Sequence, residues 1–127
     1  MALGENVRMQ SQLEVTYVRE ARALRLKGEL DMASIGTLTA PLAHAVAAGG
    51  PIVVELTELR FMDSTGLHAL LGTAQELSQK GWCLYLHTDD GMVRNLLELV
   101  GLDQFPNIHL IAHPGFGQHF VADGPPS

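Results

Sequence analysis

The spacing of hydrophobic positions changes period several times along this chain, and each change marks an element. Between Leu13 and Val18, Val15 and Tyr17 alternate with Glu14 and Thr16, the pattern of a half-buried strand. Leu24 and Leu26 alternate with Arg25 and Lys27 in a second strand predicted over Ala21 to Lys27. Arg19 and Glu20 lie near the turn, and Gly28-Glu29-Leu30-Asp31 closes the run. The period then lengthens. Ile35, Leu38, Leu42 and Val46 form a helical stripe that stops at Gly49-Gly50-Pro51. Pro41 removes one hydrogen bond from that helix, which predicts a kink or a late start.

Ile52-Val53-Val54-Glu55-Leu56 reads as a central strand buried on both faces. It is expected to empty into a loop, after which Asp63-Ser64-Thr65-Gly66 opens an amphipathic helix. Leu67, Leu70, Leu71, Ala74 and Leu77 share one face of that helix, which ends near Lys80-Gly81. Trp82 to His87 is a further strand. Asp89-Asp90-Gly91 caps a helix carrying Val93, Leu96, Leu97 and Val100, and Ile108 to Ala112 makes the last strand. Residues 1–12 read as a flexible arm, 13–112 as one domain, and 113–127 as an irregular tail rich in His, Gly and Pro. The order β-β-α-β-α-β-α-β predicts an α/β domain, a mixed β-sheet of four to five strands with α-helices packed on it.

Composition narrows the function. With 127 residues, 46% of them hydrophobic and 17% charged, the chain can fill one core. A net charge of −6 with only eight scattered Lys and Arg argues against a nucleic-acid groove or a basic membrane-binding helix. No signal pattern and no stretch near ~18 apolar residues is present, so a soluble, cytoplasmic protein without membrane insertion is expected. Cys83, the single cysteine, reads as a buried reduced thiol.

The residues offer three candidate chemistries. His109 and His113 are four apart on a strand, about 13 Å at ~3.3 Å per residue, too far to share a metal ion. His119 adds nothing to that pair, and no metal is expected. Ser64 and His68 are neighbours on a helix, with Asp63 adjacent, so a small hydrolase is conceivable. It would need an oxyanion hole and a cleft that nothing else suggests. The third is a helix N-terminus in which Asp63, Ser64 and Thr65 cap orphan N–H groups or present a hydroxyl to another protein. A phosphate there meets the positive end of the helix dipole, which suits a reversible switch.

Three stretches together resemble the STAS domain of bacterial anti-sigma factor antagonists. They are Gly28-Glu29-Leu30-Asp31, Phe61-Met62-Asp63-Ser64-Thr65-Gly66-Leu67, and the run from Val93 to Leu102 that ends in Gly101-Leu102. The resemblance implies a STAS fold and a binding module rather than an enzyme. It implies Ser64 as phosphate acceptor, with Thr65 as the alternative, and a partner surface of Asp31, Asp63, Ser64, Thr65 and Gly66. The implied partner is an anti-sigma factor that is also a serine kinase of the histidine-kinase-like ATPase type. The unphosphorylated antagonist captures it and frees a sigma factor, and a PPM-type serine phosphatase resets the switch. No cofactor is implied, since the kinase brings ATP and Mg²⁺. The alternative is a STAS accessory subunit of a membrane transport system for lipids or anions. Family members often end in a further helix, where this chain has its His-, Gly- and Pro-rich tail.

Overall fold

A computed structural model describes residues 12–89 and 91–112. Five strands and three helices follow in the expected order. They are β1 (Leu13–Val18), β2 (Ala23–Leu30), α1 (Ile35–Ala48), β3 (Ile52–Met62), α2 (Ser64–Gln79), β4 (Leu84–Thr88), α3 (Met92–Leu99) and β5 (Ile108–Ala112). Residues 1–11 of the predicted arm and the tail, 113–127, lie outside the described residues.

The sheet runs β1-β2-β3-β4-β5, antiparallel between β1 and β2 and parallel elsewhere. Each parallel step returns through one helix. Crossovers of one hand, combined with a strand order that never reverses, bring all three helices to the same face. Leu24, Val54 and Leu86 form one row across the sheet and meet Leu38, Leu70 and Leu97 from the helices in a single core. The opposite face carries Ala23, Val53 and Tyr85 as a second, smaller cluster. Next along that face come Arg25, Glu55 and His87, paired in register.

Several boundaries differ from expectation. The central strand does not end at Leu56 in a loop but continues to Met62 and leads directly into α2. Against β2 it carries one extra residue between Glu55 and Glu58, and another between Leu59 and Phe61. Each bulge reverses which side chains face the core, so the alternation that reveals a strand is scrambled. β2 starts at Ala23 because Arg19–Ala21 form a 3-10 turn closed by Arg22 in the left-handed region, φ 50°. β4 starts at Leu84; Trp82 is exposed and Cys83 precedes the strand, half-buried rather than fully so. The cap of α3 is Gly91, without a side-chain hydrogen bond. Asp90 lies outside the described residues. In α1, Pro41 brings no late start: the helix begins at Ile35 and runs through to Ala48. The carbonyl of Thr37 that Pro41 leaves without a helical partner belongs to an exposed residue, within reach of water.

Candidate functional site

Two aspartates end adjacent parallel strands at one edge of the sheet. Leu30 of β2 pairs with Met62 of β3, and the N–H of Asp63 donates to the Leu30 carbonyl at 3.2 Å. Asp31 and Asp63 therefore follow at matching positions, each leading into a helix. The Asp63 Oδ1 accepts from the N–H groups of Thr65 at 2.9 Å and Gly66 at 3.3 Å, capping α2. The Asp31 Oδ1 accepts from the N–H of Ala33 at 3.0 Å and of Ser34 at 3.1 Å. Ser34 is buried; its Oγ donates to the Glu29 carbonyl at 2.8 Å and accepts from the Asp31 N–H at 3.0 Å. Both carboxylates are thus committed to shaping the turns that carry the site.

The capped helix begins at Ser64, whose side chain is exposed. Thr65 beside it is half-buried, and Gly66 is buried. Gly66 acts through what it lacks. A Cβ there would stand 2.8 Å from Met62 Cγ and 2.9 Å from Leu30 Cδ2 and Cγ. Only glycine lets the first turn of α2 settle onto the ends of β2 and β3, so Ser64 takes its height above the sheet from this contact.

Large apolar side chains surround the site, and sequence patterning did not single them out. Met32 is 75% exposed and Phe61 41%, one beside each aspartate. Beyond α2, Ser64 and His68 line a concavity of about 330 Å³ with Leu67, Leu71, Leu102 and Phe105. The signal that could have marked Met32 and Phe61 is bulk without a core-facing period at a loop and a bulged strand end. Arg60 and Glu29 form an exposed ion pair at 3.8 Å on the same edge. Exposure of both groups leaves it little energetic weight.

The hydrolase alternative needs Asp63 to orient a base. Its Oδ1 serves the helix cap instead, and no Ser64–His68 hydrogen bond is present among the described residues. His68 is exposed, on the solvated side of its helix. Among the described residues no group of three His, Cys, Asp or Glu is placed to hold a metal ion, and His113 and His119 lie outside them. No described helix is long and apolar enough to cross a membrane.

Comparison with known proteins places the chain among relatives. The family description "STAS domain" matches residues 12–113. The anti-sigma F factor antagonist of Paenibacillus polymyxa is 32% identical over 96 residues, which covers 74% of this chain and 82% of that protein. In fold, the chain is similar to an anti-sigma factor antagonist from Mycobacterium paratuberculosis, with a TM-score of 0.69 and 24% identity. That match covers 87% of this chain and 93% of the other. It is also similar to the Bacillus cell fate determinant SpoIIAA solved in its phosphorylated form, with a TM-score of 0.60 and 22% identity. There 86% of this chain and 98% of the other are covered.

Proposed function

The chain belongs to the STAS domain family, and from that premise we propose that it is an anti-sigma factor antagonist switched off by phosphate on Ser64. The observation that carries the reading is the exposed Ser64 hydroxyl at the start of a helix whose cap, Asp63, is already in place. An acceptor for a protein kinase must be reachable and presented in a fixed orientation. Ser64 meets both conditions, whereas Thr65 is half-buried.

In this reading the edge around Asp31, Asp63, Ser64 and Thr65, with Met32 and Phe61 beside it, binds an anti-sigma factor that is also a serine kinase of the histidine-kinase-like ATPase type. Gly66 contributes by setting the height of the helix. The unmodified surface captures the kinase and frees the sigma factor. The kinase supplies ATP and Mg²⁺, and this chain supplies only the hydroxyl. Transfer adds ~1.5 to 2 negative charges at the centre of the contact. A new anion that must lose water there, with no cationic group of the kinase to receive it, weakens binding by about 2–5 kcal/mol, tens to thousands of times. A PPM-type phosphatase removes the phosphate and restores the binding form.

Incubation with the cognate kinase and ATP, followed by mapping of the modified residue by mass spectrometry, tests the assignment. Phosphate on Ser64, and none on Ser64→Ala, is the expected result. Clean modification of Thr65 would overturn it.

A further inference from the structure

We propose that His68 is the protein's own ligand for a phosphate on Ser64, holding it against the first turns of α2. The proposal rests on the reading of Ser64 as phosphate acceptor and adds a regulatory residue to it. Residues 64 and 68 stand one turn apart on α2, both are exposed, and both line the concavity floored by Leu67 and Leu71. Side chains on a helix lean toward its N-terminus, so a side chain at position 68 is within reach of position 64. An acid at position i with a base at i+4 is also the favourable order along a helix.

The other groups near this face leave that role to His68. Asp63 is acidic and spends its Oδ1 on the cap. Asp31, across the Leu30–Asp63 contact, spends its Oδ1 on the turn before α1. From α1, the groove beside His68 is lined by Thr39, Leu42, Ala43 and Val46, which carry no charge. Glu76 lies two turns further along α2. From beyond α3, Val100, Leu102 and Phe105 face the concavity, with Asp103 in the same turn. Arg60 lies on β3 with Glu29 at 3.8 Å, and it does not line the concavity that Ser64 and His68 share. The pair forms only in the phosphorylated protein, because only there does position 64 carry an anion for the imidazole to hold.

Phosphoserine placed at position 64 during translation makes the test independent of any kinase. The ³¹P resonance is followed against pH in the otherwise unaltered protein and in His68→Ala, His68→Gln and His68→Lys backgrounds. With His68 present, the phosphate is expected to lose its second proton about 0.2–0.4 pH unit lower than in His68→Ala, the size of an exposed i, i+4 ion pair. His68→Gln should behave like His68→Ala, and His68→Lys should restore the lower midpoint. Equal midpoints in the original and His68→Ala proteins would overturn the proposal. That outcome is separate from failure of the switch itself, which would appear as unchanged kinase affinity on phosphorylation.

Discussion

The N–H of Asp63 donates to the carbonyl of Leu30 at 3.2 Å, a backbone bond that ties the start of α2 to the end of β2. Through it the two turns bearing Asp31 and Asp63 are joined side by side. The cap on α2 should have a measurable weight. Asp63→Ala removes the acceptor for two N–H groups and is expected to cost about 0.5–2 kcal/mol, while Asp63→Asn recovers most of it. Urea denaturation of the two variants checks this; equal loss in both would show that charge rather than capping matters.

Gly66 and Gly72 sit on the same helix and should respond oppositely to alanine. At Gly66 the new methyl meets Met62 and Leu30 at 2.8–2.9 Å, and strain of about 1–3 kcal/mol is expected. At Gly72 nothing lies within 4 Å of the added carbon, so the higher helix propensity of alanine should stabilise by up to ~1 kcal/mol. Denaturation midpoints moving in opposite directions confirm the close approach. A neutral Gly66→Ala would show that α2 is free to lift away from the sheet.

On the face away from the helices, Glu55 is 8% exposed and its Oε1 accepts from Arg25 Nε at 3.0 Å. Its Oε2 accepts from the Thr57 hydroxyl at 2.9 Å. Glu55→Ala is expected to destabilise by about 1–3 kcal/mol, short of a fully buried pair because the Arg25 side chain is 43% exposed and returns to water. Removal of Arg25 instead should cost at least as much, since it strands a buried carboxylate. Comparing Glu55→Ala with Arg25→Ala by chemical denaturation decides the order.

Tyr85 gives the fold a pH dependence at the alkaline end. Burial, then charge on Cys83 and a side-chain hydrogen bond with it, raise its phenol above the usual 10.0. Its ring also stacks on His109 at 5.1 Å. The unfolded chain then releases the phenolic proton before the folded one does. The contribution is fully present below pH 10 and is lost as pH climbs through the raised folded value. Stability should therefore fall more steeply above pH 10 in the unaltered protein than in Tyr85→Phe. Parallel curves from pH 8 to 11 would contradict the shift.

Much of this fold was legible because most elements keep one period throughout. Leu24 and Leu26 alternate cleanly, and Leu70, Ala74 and Leu77 mark a single buried stripe. The second half of β3 was not legible: its two bulges break the alternation after Glu55, so Thr57–Met62 reads as a loop. Pro41 does not delay the start of its helix, because the carbonyl it leaves without a helical partner, that of Thr37, belongs to an exposed residue. At the site, the start of α2 at Ser64 follows from the Asp-Ser-Thr-Gly pattern. What the pattern does not carry is tertiary. The seating of Gly66 on Leu30, the bonds from Asp31 into the Ser34 turn, and the exposure of Met32 and Phe61 depend on neighbours 30 or so residues away or on a turn's geometry.

The central claim is that charge at residue 64, not loss of its hydroxyl, controls partner binding. Calorimetric titration of the cognate kinase with unmodified, Ser64-phosphorylated, Ser64→Ala and Ser64→Asp protein tests it most directly. The Ser64→Ala protein should bind within a few-fold of the unmodified one. The phosphorylated protein should bind at least ~30-fold more weakly, the equivalent of about 2 kcal/mol, with Ser64→Asp between because it carries less charge and reaches less far. Equal affinities for the unmodified and phosphorylated proteins would contradict the account, even with Ser64 fully phosphorylated.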